Sequence, residues 1–448
     1  MSISIGVEHF GKIEKAEITL GNLLLFVGEN NSGKTYMMQL LYGVTSEIIE
    51  HSDCLMEKYS RDDSKYLITP ETILSWEKKI NQYLKKEKEQ IVREIFYRDI
   101  QIGELYMRID HSELLSYEVE IQKGEMLQEV IQNVDFKNRY DIVIKRMENN
   151  IIEEQRRIGV GGDVDRDFVI KYIGQSVAAD MLGMHSTKSA LFFPASRTGM
   201  LLLYKYFFAE KDNTIHWMET NGEKHAENNH LGLSAPVYNF LQFLLRFTPN
   251  NLIRKKDQEL LQFIESNLID GSLQFSSEES YYIPTNSENR IPLYLSSSLI
   301  NELAPIVKLL SNVYPYDNIY YDEIENCLHP LKQKAMARLI VRLVNSGRRM
   351  IVSTHSDSMA INLNNLLTLT LGDMSEAKRN EKISALGLEN DDIIKTRDIH
   401  VYQFANSDNG TSNVTELEFR TINKLGYDFG LFSQNLQNLS DDTINIME

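Results

Sequence analysis

Residues 23–41 read LLLFVGENNSGKTYMMQLL. An apolar run comes first, glycines punctuate at 28 and 33, and a helical pattern follows. Gly28-Glu29-Asn30-Asn31-Ser32-Gly33-Lys34-Thr35 matches G-x-x-x-x-G-K-[ST] in full. The spacing has a physical reason. Glycines let the backbone wrap so that its N–H groups converge on phosphate oxygens. The helix that follows turns the positive end of its dipole to the same point. Lys34 then reaches the outer phosphates, and the Thr35 hydroxyl serves Mg²⁺. A turn that merely fits the letters is the competing reading, and the rest of the chain decides between them.

The chain has 448 residues, room for two or three structural units and a substantial core. Its 42% hydrophobic and 25% charged content is that of a globular protein. The net charge is −17, from 64 acidic against 47 basic residues, which disfavours broad nucleic-acid binding but leaves a local basic groove open. Cys54 and Cys327 stand far apart and build neither a disulfide framework nor a zinc site. A reducing, cytoplasmic setting fits them. The start, MSISIGVEHFGKIEK, lacks the pattern of a signal peptide. The apolar run at 23–27 is too short to span a bilayer, and no transmembrane segment is expected.

Strands are expected over 2–27 and a helix from the glycine loop to about Ile49. Residues 52–68 read as loop. A long amphipathic helix over 69–98 has Thr69 as N-cap and Pro70 in its first turn. Strands follow over 101–122, then helices near 135–157 and 164–182 joined by the glycine-rich GVGGDVD. SALFFPASRTGMLLLYKYFF, 189–208, reads as strand, loop and helix. Residues 212–231, with Gly222, His225 and His230, read as polar and flexible. Two helices, a stretch of strands over 271–295, and alternating helices and strands over 296–372 come next. The tail, 399–448, reads as one strand, IHVYQF, with weakly helical segments.

Two later segments carry chemistry. NIYYDEIENCLHP, 318–330, is an apolar strand ending in Asp322-Glu323. Beside a phosphate loop, Asp322 would hold Mg²⁺ through water, and Glu323 would polarise an attacking water. RRMIVSTHSDS, 348–358, is another apolar strand, running into His355, a hydrogen-bonding group for a terminal phosphate. Alone, each has a plainer reading, solvated acids or a structural histidine. The helix between them makes the two strands parallel neighbours with a right-handed crossover. Their carboxyl ends then meet at one sheet edge, where such folds bind ligands. In LYLSSSLINELAPIVKLL, 293–310, three serines precede an amphipathic helix. Ser296 or Ser297 would cap it, and its amino end suits an anion.

With these pieces together, the sequence resembles an ABC-type ATPase head of the SMC, RecF and OLD group. The matching stretches are FGKIEKAEITLGNLLLFVGENNSGKT, SSSLINELAPIVKLL, IYYDEIENCLHP and IVSTHSD. FFPASRTG (192–199) and GLSAPVYNFL (232–241) are similar to a compact bacterial subgroup that includes the ATPase halves of anti-phage systems of the PARIS or AbiL type. The resemblance implies an α/β P-loop head with a mixed sheet and a largely helical inserted subdomain. The head lobes would be 1–50 and 291–375, with 51–290 inserted and 376–448 a carboxy-terminal extension. It implies ATP and Mg²⁺ as ligands, with Gly28, Asn30, Asn31, Ser32, Gly33, Lys34 and Thr35 around the nucleotide. Thr35 and Asp322 would serve the metal, and Glu323 and His355 catalysis. It further implies a homodimer or higher homo-oligomer closed by ATP, in which Ser296, Ser297 and Ser298 form the signature segment that touches the nucleotide of the partner copy. This segment departs from the usual pattern, since no glycine follows its serines. Arg197 is a candidate phosphate contact, and Gln175 a poor match to the usual Q-loop glutamine. OLD relatives carry a TOPRIM nuclease, but Asp391-Asp392 and Asp441-Asp442 read as solvated acids, so none is expected here. The function implied is a slow ATPase that controls a separate effector, a nuclease or toxin, in anti-phage defence. A RecF-like DNA clamp and an ATP-bound scaffold without turnover are the alternatives, and contact with DNA is left open.

Overall fold

The computed structural model describes residues 2–57, 64–113, 115–123, 138–148, 151–162, 165–184, 190–220, 232–249, 253–276, 279–313, 316–421 and 426–430. Strands β1 (Ile3–Phe10), β2 (Ile13–Thr19) and β3 (Leu23–Gly28) lead into helix α1 (Lys34–Glu50). Then come β4 (Lys65–Ile68), α2 (Pro70–Phe96), β5 (Glu104–Ile109), β6 (Ser116–Lys123), β7 (Asn138–Glu148) and β8 (Ile151–Gly162). Helix α3 (Arg166–Met181), β9 (Ala190–Phe193), α4 (Arg197–Thr220), α5 (Ala235–Arg246) and α6 (Lys255–Ile264) follow. The last third holds β10 (Gly271–Phe275), β11 (Ser280–Pro284), β12 (Ile291–Pro292), α7 (Ser298–Leu310), β13 (Asn318–Tyr321) and α8 (Pro330–Asn345). It closes with β14 (Arg349–Thr354), α9 (Asp357–Leu371), α10 (Glu376–Ala385), β15 (Ile399–Asn406) and β16 (Ser412–Glu416).

The architecture is α/β around a nine-stranded mixed sheet in the order β5-β1-β2-β16-β15-β3-β14-β13-β9. From β15 to β9 the strands are parallel, so their carboxyl ends share one edge. In β3 every side chain is buried, as a strand covered on both faces requires. Alternation sorts them: Leu24 and Phe26 join a core with α1, α2 and α3, while Leu23, Leu25 and Val27 join one with α5 to α9. The Asp322 strand β13 and the His355 strand β14 are parallel neighbours, with α8 as the crossover. Helix α2 begins as expected, with Thr69 accepting from the Thr72 N–H and Pro70 in the first turn. Among the described residues no helix is long and apolar enough to cross a membrane.

Several expectations need correction. Residues 138–148 and 151–162 are the antiparallel pair β7 and β8 of a four-stranded sheet, where a helix over 135–157 joined by a glycine linker was expected. Ile142, Ile144 and Val160 alternate inward, and Ile142 and Ile144 face Ile121 and Val119 of β6. The stretch read as loop over 52–68 holds a short 3₁₀ turn, Ser52–Met56, and β4. Helix α4 runs through Thr220, inside the segment read as flexible. His225 and His230 lie outside the described residues, as do Asp441 and Asp442. The tail is no appendage: β15 pairs with β3, and β16 with β2, near the middle of the main sheet. Asp392 is not solvated. It is fully buried and receives Arg338 Nε at 2.8 Å and Arg342 Nε at 2.7 Å, and both guanidiniums lie over Phe263.

Removing one member of such a network strands its partners in a poorly hydrated site. Asp392→Ala is expected to cost about 3 kcal/mol in chemical denaturation while leaving nucleotide affinity unchanged. A loss below about 1 kcal/mol would place the pair in the weak surface class instead.

Candidate functional site

A cavity of about 720 Å³ opens at the carboxyl edge of the parallel strands. Its wall includes Asn30, Asn31, Ser32, Gly33, Lys34 and Thr35 from the glycine loop, with Glu323 and His355 from the ends of β13 and β14. Phe10, Lys12 and Tyr36 form another side. The loop follows β3, and α1 starts at Lys34. Three of its residues have positive φ: Gly28 at 138°, Asn31 at 57° and Gly33 at 95°. At Gly28 glycine is needed twice over, because a β-carbon there would lie 2.0 Å from the Phe404 carbonyl oxygen of β15. The same strand braces the loop from outside. The Asn406 N–H donates to Glu29 Oε2 at 3.0 Å, and Asn406 Nδ2 donates to the Asn30 carbonyl at 3.2 Å.

Lys34 Nζ curls over the loop and donates to the carbonyls of Gly28 at 2.9 Å and Glu29 at 2.6 Å. Burial pushes its pKa down, against the pull of Asp322, Glu323, Glu325 and Glu29. Thr35 Oγ1 donates to Asp322 Oδ2 at 2.8 Å, and Ser353 Oγ donates to Asp322 Oδ1 at 2.5 Å. Burial pushes the Asp322 carboxyl up, and these two hydroxyls oppose the shift. A hydroxyl and a carboxylate converging on one point are the hard oxygen donors that Mg²⁺ takes, so these residues fit the ion.

Glu323 sits at φ 48°, the left-handed region that side chains other than glycine enter at a cost. Its N–H donates to Ser353 Oγ at 2.8 Å, and its Oε2 accepts from Asn326 Nδ2 at 3.1 Å. His355 Nδ1 lies 2.9 Å from Glu325 Oε1 and 3.8 Å from Glu323 Oε1. Glu325 also accepts the His355 N–H at 2.7 Å. The Glu325 hydrogen bond raises the His355 pKa. Burial pushes the Glu325 carboxyl up, but its bonds to His355 outweigh that and leave it below the usual carboxylate range.

The other candidates lie elsewhere. Ser297 occupies the N-cap of α7 without a side-chain cap bond, and Ser296 Oγ donates to the Pro292 carbonyl at 3.1 Å. Ser297 and Ser298 are exposed, and none of the three serines lines the cavity. Gln175 does not line it either; its Nε2 donates to the Glu50 carbonyl at 3.4 Å. Arg197, expected at a phosphate, is fully buried beneath the site. Its Nη1 and Nη2 donate to the carbonyls of Pro194 (3.0 Å), Asp322 (2.6 Å) and Glu323 (2.9 Å), it pairs with Glu302, and it covers the Tyr321 ring. Sequence reasoning missed Ser353, Glu325, Asn326 and Asn406. Only Ser353 left a signal, as a hydroxyl directly after the apolar run Met350–Val352.

Residues 209–360 match the family described as AAA ATPase domain. That stretch holds β13, β14 and His355 but not the glycine loop. No curated protein matches the chain. Among solved structures, it is similar to an SMC head bound to the C-winged helix domain of ScpA, at 11% identity and a TM-score of 0.37, over 94% of this chain and 97% of that one. It is also similar to an SMC head domain from Thermotoga maritima, at 10% identity and a TM-score of 0.36, over 93% and 100%. A third is an SMC head domain with an extended coiled coil, bound to the C-terminal domain of ScpA derived from Pyrococcus furiosus, at 10% and 0.35 over 99% of each chain. These likenesses are loose, and the reading of the site rests on its own side chains.

The His355–Glu325 contact has a pH signature. The raised His355 pKa means that its contribution is fully present below the ordinary histidine value and is lost as pH rises through the folded value. The lowered Glu325 pKa means that its contribution is lost only as pH falls through that depressed value. In NMR titration the His355 ring is expected to titrate above about 6.5, and Glu325→Gln to bring it down. An unchanged midpoint in the variant would assign the shift to another group.

Proposed function

We propose that the cavity binds ATP with Mg²⁺ and hydrolyses it. The observation that carries this reading is the Thr35–Asp322 hydrogen bond, which joins residues 287 positions apart beside Lys34, Glu323 and His355. A buried carboxylate that meets the hydroxyl of a phosphate loop across the whole chain is what a nucleotide–metal site requires and what an incidental turn would not supply.

The loop N–H groups and Lys34 hold the phosphates, and Thr35 and Asp322 serve the metal. Bound there, Mg²⁺ neutralises phosphate charge. Glu323 takes the proton from a water whose oxygen attacks the terminal phosphorus. The bond to the bridging oxygen breaks, and ADP and phosphate leave. His355, held by Glu325, lines the cavity where the departing phosphate would lie. The exposed Ser297 and Ser298, away from their own cavity, support closure of two copies around ATP, each lending the start of α7 to the other. Control of a separate nuclease or toxin in anti-phage defence, in a cytoplasmic setting, is proposed on the sequence resemblance.

Phosphate release and nucleotide binding test the reading together. Lys34→Ala is expected to abolish binding, and Glu323→Gln to retain binding while slowing hydrolysis by about 100-fold or more. Hydrolysis unchanged in Glu323→Gln would remove Glu323 as the base. Wild-type protein that binds ATP without turnover would favour a scaffold.

A further inference from the structure

Arg197 and Glu302 form an ion pair closed to solvent, their side chains 0% and 2% exposed. Burying two charges is costly, and apolar side chains of similar volume would pack as well. The placement of the pair points to another use. Glu302 lies on α7, one turn beyond the exposed Ser298. Its other carboxylate oxygen accepts from Thr198 Oγ1 at 2.6 Å, so the first two residues of α4 both hold it. Arg197 in turn donates to the backbone carbonyls of Asp322 and Glu323.

The segment leading into Arg197 grips the same loop. The Phe193 carbonyl accepts from the Asp322 N–H at 2.9 Å. The Ala195 carbonyl accepts from Asn326 Nδ2 at 2.9 Å, the same group that donates to the Glu323 carboxylate. Glu323 is the residue that needs holding, because its φ of 48° is unfavourable for a side chain with a β-carbon. Ser353 fixes its N–H and Arg197 its carbonyl. The Arg197–Glu302 ion pair thus links α7 to the backbone of the reacting residue.

We propose that Arg197 and Glu302 are positioning residues for hydrolysis. The pair locks the Glu323 backbone in its left-handed conformation and makes that lock depend on how α7 is seated. This rests on Glu323 being the proton acceptor. Displacing the start of α7 moves Glu302, which releases Arg197 from one side and relaxes its hold on the Glu323 carbonyl. Contact at the exposed serines and alignment of Glu323 thereby become one event.

The test uses Glu302→Gln, close in shape, together with Arg197→Lys, Glu323→Gln and the Glu302→Gln/Glu323→Gln double variant of the full chain. Single-turnover hydrolysis in Glu302→Gln is expected to fall by about 100-fold, as for a small misplacement of a catalytic group, with affinity for a fluorescent ATP analogue unchanged. Arg197→Lys keeps the charge but not the fork and is expected to fall likewise. In the double variant the loss should be no greater than in Glu323→Gln alone, because one residue acts through the other. Losses that multiply, or affinity that falls with rate, would mean a merely structural pair and overturn the proposal. A crystal structure of Glu302→Gln gives a readout independent of turnover. Glu323 is expected to leave the left-handed region, and a retained φ with retained α7 packing would overturn the lock. Wild-type protein without hydrolysis would sink the ATPase reading, while the Glu323 conformation in the variant would still decide the lock.

Discussion

The Asp322 carboxylate is the point on which the site depends. It sits at the end of an apolar strand, almost fully buried, where an unpaired charge is strongly disfavoured. Two hydroxyls answer it, Thr35 from the phosphate loop and Ser353 from β14. Ser353 also receives the Glu323 N–H. One short chain of hydrogen bonds therefore ties α1, β13 and β14 together, orienting the Asp322 carboxylate and the Glu323 backbone. The parallel strands make this possible, since β3, β14 and β13 end at the same edge.

Around that centre, each face of the sheet contributes differently. On one, α1 to α3 pack on Leu24 and Phe26 and fix the start of the loop helix. On the other, α7 and α8 pack on Ile319 and Tyr321 and fix the carboxylates from below. The carboxy-terminal β15 closes the arrangement by bracing the glycine loop through Asn406. Rigid strands thus hold the polar groups, and the candidate site lies on the short loops that follow the strands, an arrangement suited to a preorganised site.

The convergence of the glycine loop, Asp322, Glu323 and His355 at one sheet edge was legible in the sequence because each follows an apolar strand whose parallel order could be read. The parallel pairing of β13 and β14 was legible because a helix of suitable length separates them. The β7–β8 pair was not, since its many charges mask the alternation of Ile142 and Ile144, and only pairing with β6 reveals the buried face. Asn406 and Glu325 act through contacts that no local pattern predicts. Arg197 was misassigned because a guanidinium bonds phosphates and carbonyls with the same fork, and its burial is invisible until the chain folds. Asp392 was misread for the same reason.

A structure of the protein with Mg²⁺ and a non-hydrolysable ATP analogue tests the central claim most directly. Its phosphates are expected on the N–H groups of residues 30–35, with the metal beside Thr35 and Asp322 and the start of α7 from a second copy over the outermost phosphate. Nucleotide bound elsewhere, or a cavity that stays empty at saturating analogue with Thr35 and Asp322 still bonded to each other, would contradict it.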